Sequence, residues 1–126
     1  MNPIEQRQRV IIDDMLQYLD TIADVVKRGR ESFFDSTDVR NRATVEHYLE
    51  LLGEGSKALG EPFQNANPGV QWSSLARFRF DIAHPYDTKS KPVSYEEMWR
   101  FAVSDLPKIA RRLRNVRFPK YLDHKA

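Results

Sequence analysis

Ile12-Asp13-Asp14-Met15-Leu16-Gln17-Tyr18-Leu19-Asp20-Thr21-Ile22-Ala23-Asp24-Val25-Val26 carries apolar residues at steps of three and four. Ile12, Met15, Leu16, Leu19, Ile22, Ala23 and Val26 therefore form one stripe of an α-helix, which completes a turn every 3.6 residues. The period predicts a first helix from Ile4 to Lys27, with Gly29 as its stop. The same spacing recurs along the chain. A second helix starts after the capping cluster Asp35-Ser36-Thr37-Asp38, carries Val45, Tyr48, Leu49 and Leu52, and ends near Gly60-Glu61-Pro62. Gly53 and Gly55 inside it each cost about 1 kcal/mol relative to Ala. Close approach of another helix or subunit would offset that, and packing within one chain is the more economical account.

Phe63-Gln64-Asn65-Ala66-Asn67-Pro68-Gly69 reads as a polar connection, with Asn67 as cap and Pro68 in the first turn of a third helix. That helix holds Trp72, Leu75, Ala76 and Ile82 and ends at Ala83 or His84, because Pro85 disfavours helical geometry before it. Asp87–Val93 is an exposed loop, and Ser94-Tyr95-Glu96-Glu97 opens a fourth helix as a capping box. Trp99, Ala102, Val103, Leu106, Ile109, Ala110 and Leu113 line its apolar face, and Pro107 should kink it. No alternating strand pattern, repeat or low-complexity run appears. The expected fold is all-α, a bundle of four main helices, with one domain over 1–117 and a partly disordered tail over 118–126.

At 126 residues the chain is long enough to bury a core without staples. It has no cysteine, which removes disulfides and thiolate chemistry and suits a reducing cytoplasm. No apolar run approaches the roughly 20 residues of a membrane span, and Met1–Glu5 lacks the basic-then-apolar pattern of a secretory signal. Net charge is +2, unevenly spread. Residues 1–63 carry 8 Lys/Arg against 12 Asp/Glu, hence −4; residues 64–126 carry 12 against 6, hence +6. The excess gathers at Lys108, Arg111, Arg112, Arg114, Arg117, Lys120 and Lys125, opposed there by Asp123. Such a surface attracts a polyanion such as RNA; it also suits a solvated helix end that complements the helix dipole.

Chemistry concentrates in Arg79-Phe80-Asp81-Ile82-Ala83-His84-Pro85-Tyr86. Arg79 is a fixed cation whose planar fork grips phosphate oxygens. His84 is of the type that exchanges protons near neutral pH. The pair suits phosphodiester chemistry without a metal; the plain alternative is an Arg-rich amphipathic helix ending at a His-Pro turn. At about 100° per residue, Arg77, Phe80 and Asp81 share the face of His84, while Arg79 points well to one side. Arg77 is thus a rival for the cationic role. Asp81 either orients the imidazole or, more simply, pairs with Arg77 four residues away. His47 and His124 are isolated without metal-ligand spacing, so no zinc site is expected. No cofactor motif appears, whether Gly-rich phosphate loop, Ser-centred elbow or nucleotide fingerprint.

Arg79, His84 and Tyr86 match R-x-x-x-x-H-x-Y, the signature of the HepT-like branch of the HEPN superfamily, the toxin half of HEPN–MNT toxin–antitoxin pairs. The resemblance runs from about Asp13 to Val116. Asp38-Val39-Arg40-Asn41-Arg42-Ala43 and Leu51-Leu52-Gly53-Glu54-Gly55-Ser56-Lys57 resemble the family's second helix. Trp72, seven residues before Arg79, and Ser104-Asp105-Leu106-Pro107 are similar too.

The resemblance implies an antiparallel HEPN-like bundle that dimerises through its motif helices, bringing two Arg–His pairs into one cleft. It implies a metal-independent endoribonuclease toxin of the cytoplasm with Arg79 and His84 catalytic; Arg77 and Asp81, from their place on the helix, and Arg111, Arg112 and Arg114, from the basic cluster, are the auxiliary or RNA-binding candidates. Tyr86 would accept AMP from a cognate MNT-type nucleotidyltransferase antitoxin, which blocks RNA; packing of Tyr86 against the fourth helix is its plain role. Two features depart from the family. Phe80 stands where a small polar residue usually follows the motif Arg, and the loop Asp87–Val93 is several residues longer. The runner-up function is therefore a catalytically silent helical module that binds a nucleotidyltransferase or nucleic acid. A structural adaptor would explain the bundle but leave the motif without a reason.

Overall fold

The computed structural model describes residues 2–89 and 91–119, and every regular element among them is an α-helix. α1 spans Pro3–Lys27, α2 Arg30–Phe33, α3 Arg40–Leu59, α4 Glu61–Ala66, α5 Trp72–Ala83, α6 Tyr95–Ser104 and α7 Leu106–Leu113. The four expected helices are α1, α3, α5 and the pair α6–α7; α2 and α4 are short pieces within the connections. His124 and the rest of the tail beyond Pro119 lie outside the described residues. Within the expected tail, Phe118 packs on the Phe63 ring at 5.6 Å beneath the Arg9 guanidinium at 4.0 Å.

α1 starts where the Asn2 side chain accepts the Glu5 amide at 2.8 Å, with Pro3 in the first turn, where its missing N–H is no loss. Its core-facing stripe is Ile12, Met15, Leu19, Ile22 and Val25. Leu16 and Val26 are half-buried and Ala23 is exposed, so the buried face is turned slightly from the one periodicity indicates. The neighbouring helices, not the apolar residues alone, choose the centre of an apolar face this wide.

α3 is the central helix, packed against α1 on one side and α5 on the other. Its two interior glycines mark the two contacts. A Cβ at Gly55 would sit 2.8 Å from Met15 Cγ of α1. One at Gly53 would overlap Arg79 Cβ of α5 and stand 2.9 Å from the Leu75 carbonyl. Both glycines thus serve helix packing within one chain.

Asn67 does not cap α5. The helix begins five residues later at Trp72, and Asn67 is a buried polar node. Its Nδ2 donates to the Phe63 and Arg117 carbonyls at 3.0 and 2.8 Å, and its Oδ1 accepts the Arg117 amide at 2.7 Å. The Asn67 carbonyl accepts the Trp72 indole N–H at 2.8 Å. A residue able to donate and accept was recruited to tie three chain segments, which outweighs the local preference for a cap.

α6 opens as expected, with Ser94 Oγ accepting the Glu97 amide at 3.1 Å. The Glu97 carboxylate turns instead toward Arg77, at 3.6 Å. The expected kink is a break at Asp105, because Pro107 has no amide to offer the Val103 carbonyl. α2 is clamped to α6 by the two-pronged Arg30–Glu96 pair, at 3.1 and 2.7 Å, and by Phe33 against Trp99 at 5.1 Å.

Candidate active site

α5 carries the motif, and its residues point three ways. Trp72 and Leu75 enter the core, and Phe78 packs on Phe101 at 4.6 Å. Arg79 lies on the α3 side. The absence of a side chain at Gly53 lets its Cβ approach the α3 backbone. Its Nε then donates to Glu54 Oε1 at 2.7 Å, leaving the side chain 23 % exposed. Glu54 was not singled out from sequence; the signal available was its place beside Gly53, the glycine that admits Arg79.

Arg77 lies on the α6 side between two carboxylates, 3.5 Å from Asp81 and 3.6 Å from Glu97. Asp81 is buried. It takes the simple pair with Arg77 and also accepts the Lys91 amide at 3.0 Å, which pins the end of the long loop to α5. It therefore anchors the loop and presents no surface for RNA.

The helix stops where Pro85 forbids helical geometry in the residue before it, and His84 adopts φ −127°, ψ 60°. The amide of His84 still reaches the Phe80 carbonyl at 3.0 Å. The imidazole folds back over the Phe80 ring, with centroids 4.6 Å apart and planes 28° apart. Its Nδ1 lies 3.0 Å from the same carbonyl oxygen. A carbonyl can only accept, so Nδ1 carries the hydrogen. In the neutral ring Nε2 is then the nitrogen with a free lone pair, on an exposed side chain.

Asp87 donates its amide to the His84 carbonyl at 3.2 Å, closing a turn with Pro85 and Tyr86 at its centre. Tyr86 is 97 % exposed at that apex. Packing against α6, its plain alternative role, is overturned, since the turn carries the ring outward into water.

Arg79, His84 and Tyr86 thus share one end of α5, with Arg79 and His84 held by different neighbours. Arg111, Arg112 and Arg114 do not join them. The Arg112 guanidinium lies against Gly69, at the start of α5, roughly 18 Å of helix from His84 at 1.5 Å per residue. Arg114 turns toward Asp20 of α1, at 3.9 Å. His47 rests on Tyr48 at 5.1 Å. Among the described residues no group of three or more His, Asp or Glu side chains is disposed to hold a metal ion. No helix among them is long and apolar enough to cross a membrane.

Two comparisons with known proteins bear on this arrangement. "Probable ribonuclease HepT" of Thermococcus cleftensis is 26 % identical over 106 residues, covering 79 % of this chain and 93 % of its own. "Putative RNase MJ0127" of Methanocaldococcus jannaschii is 27 % identical over 100 residues, covering 78 % of this chain and 79 % of its own. No solved structure matches the chain at the level at which these relatives do. The family described as "Ribonuclease HepT-like" matches residues 15–116, from the core of α1 to the end of the described bundle. The all-helical bundle, the R-x-x-x-x-H-x-Y motif at the end of α5 and that match lead to one conclusion: this chain belongs to the HepT-like ribonuclease family of HEPN domains.

Proposed function

We propose that this chain is a metal-independent endoribonuclease, the toxin of a toxin–antitoxin pair, with His84 and Arg79 as its catalytic groups. The observation that carries the reading is the commitment of His84 Nδ1–H to the Phe80 carbonyl, which leaves Nε2 free and exposed. Nε2 takes the proton of a ribose 2′-hydroxyl as that oxygen attacks the adjacent phosphorus. The bond from phosphorus to the 5′-oxygen breaks, and the leaving oxygen takes a proton from an imidazolium or water. Products are a 2′,3′-cyclic phosphate and a 5′-hydroxyl. The Arg79 guanidinium stabilises the charge that builds on the phosphoryl oxygens. Arg77, neutralised by two carboxylates where Arg79 has one, is the weaker candidate.

Arg79 is held on the α3 side of α5 by Glu54, whereas His84, just past the helix end, folds back over Phe80, so the active species is a homodimer. In it the motif helices of two copies face each other, and Arg79 of one meets the phosphate held by His84 of the other. Tyr86, projecting into water beside that cleft, accepts AMP from ATP by way of a cognate MNT-type nucleotidyltransferase. The phenol oxygen bonds the α-phosphorus, loses its proton and expels pyrophosphate. The added anion repels RNA from the cleft and neutralises the toxin.

One observation favours a second reading, a silent binding module: the Phe80 ring covers one face of the imidazole. Purified protein with unmodified Tyr86, incubated with total tRNA and a generic mRNA in EDTA, separates the two. Cleavage with cyclic-phosphate ends, lost in His84→Ala, is the expected result. An inert wild type that gains cleavage as Phe80→Asn would establish the silent module.

A further inference from the structure

Lys108, Arg111 and Arg112 fall at i, i+3 and i+4 on the face of α7 opposite the buried Leu106, Ile109, Ala110 and Leu113, and Asn115 follows in the turn just past the helix. That face meets the turn before α5 and encloses a cleft of about 420 Å³, completed by Asn67, Gly69 and Val70. Three of its walls are cations, and residues 106–119 contain no Asp or Glu to balance them. Six arginines elsewhere are held in ion pairs, Arg9, Arg30, Arg40, Arg77, Arg79 and Arg114, whereas Arg7, Arg28, Arg42, Arg100 and Arg117 form none among the described residues and do not converge on one cleft. Lys108, Arg111 and Arg112 have no ion pair among the described residues.

The Arg112 guanidinium packs closely on the turn that closes the cleft. A Cβ at Gly69 would stand 2.6 Å from Arg112 Nη1 and 3.2 Å from its Cζ, so the tip of the Arg112 side chain rests directly against the turn. The turn bearing Gly69 is itself tied down by the hydrogen bonds of Asn67 to Phe63 and Arg117. Neutral small-molecule pockets are lined mainly by apolar side chains. Val70 is the one apolar wall here, so the chemistry that fits is an anion with several oxygens.

We infer that this cleft is a second phosphate-binding site, which grips the backbone of a single-stranded RNA away from the bond being cut. The inference rests on the ribonuclease reading for its choice of anion. α5 joins the two places, with the cleft at its N-terminal end and His84 at its C-terminal end, roughly 18 Å apart along the helix. A chain of several nucleotides spans that distance and a dinucleotide does not. The cleft thus selects for long single-stranded substrates and contributes to binding rather than to bond cleavage. Phosphate contacts of this kind carry no base specificity.

The test is binding of a fluorescent, mixed-sequence 2′-O-methyl RNA oligonucleotide, which lacks the attacking hydroxyl and cannot be cleaved. Full-length wild type is compared with Lys108→Gln/Arg111→Gln/Arg112→Gln over a range of salt. Each single-strand phosphate contact contributes about 0.7 to the slope of log affinity against log salt. The triple variant is therefore expected to flatten the slope by about 2 and to bind at least tenfold more weakly. Arg7→Gln/Lys27→Gln/Lys57→Gln, with the same net charge placed on α1 and α3, should keep most of the slope. Equal slopes in wild type and triple variant, or equal losses in the two charge-matched variants, would overturn the inference. So would a wild type that ignores the RNA but binds a polyglutamate peptide through these residues, which would make the cleft a protein-docking surface. Because the probe is uncleavable, a slope that depends on the cleft stands even if no RNA is ever cut, and the catalytic reading then fails alone.

Discussion

His84 spends one imidazole nitrogen on a carbonyl four residues back and offers the other to solvent, an arrangement set by its own backbone neighbourhood. Arg79 differs, because its orientation comes from another helix. The 2.7 Å bond to Glu54 holds the guanidinium at Nε and leaves its two terminal nitrogens to approach a phosphate. In the proposed mechanism Glu54 is thus a positioning residue. Glu54→Ala should lower kcat about tenfold, which corresponds to roughly 1.4 kcal/mol of transition-state stabilisation. Glu54→Gln, which still accepts the bond, should recover most of that loss. Single-turnover cleavage of a labelled RNA distinguishes this from competition: a rise in rate in Glu54→Ala would mean that the carboxylate holds the guanidinium away from phosphate. The motif residues were legible in sequence because they lie within eight positions of one another. Glu54 was not, since its partner is 25 residues away and the pairing exists only once α3 lies on α5.

Among the elements, α3 matters most for the site, and Gly53 is the point at which it does. Adding a methyl there drives into Arg79 and the Leu75 carbonyl, and the backbone atom cannot swing aside as a side-chain tip would. Gly53→Ala should therefore destabilise the fold by about 1–3 kcal/mol despite the better helix propensity of Ala. Thermal melts and cleavage assays would check this together, with activity at 25 °C falling because Arg79 is displaced along with α5. A Tm at or above that of wild type would show that α3 and α5 separate without strain.

The start of α3 makes a pH-dependent contribution. The Arg40 guanidinium and amide, hydrogen-bonded to the Asp38 carboxylate, lower its pKa from 3.8 to about 2. A depressed carboxylate stabilises the fold above its unfolded value and loses that contribution as pH falls through its folded one. The Tm difference between wild type and Asp38→Asn should stay constant near pH 6, shrink below about 4 and close near 2. A difference independent of pH would show that the contact acts through shape and not through charge. The helices themselves were largely legible, because their apolar spacing is local. The start of α5 was misplaced because Asn67 and Pro68 have the local chemistry of a helix start. The bonds from Asn67 to Arg117, 50 residues away, decide otherwise.

For the whole molecule, the proposed reaction requires Arg79, held on the α3 side of α5, and His84, just past its end, to reach a single phosphate. A composite site between two copies meets that requirement and predicts complementation. In a mixture of Arg79→Ala and His84→Ala chains, each inactive alone, a heterodimer holds one intact Arg–His pair and one doubly broken one. Random reassortment of a two-fold dimer should then recover roughly a quarter of wild-type activity. No recovery after co-refolding, with heterodimers confirmed by mass, would place both groups in one chain. Chain-local rules were enough to reveal the all-helical class, where α1, α3 and α5 stop, the cap of α6, the interruption that Pro107 causes and the Arg79–His84–Tyr86 motif. Each depends on periodicity, on a proline or on residues a few positions apart, and such interactions act before any long-range contact forms. Tertiary structure alone decided which face of α1 is buried, why Gly53 is glycine, which carboxylate holds Arg79, and that Lys108, Arg111 and Arg112 gather at the far end of α5. These depend on which helices pack together, and packing is a property of the assembled core that no stretch of sequence carries by itself.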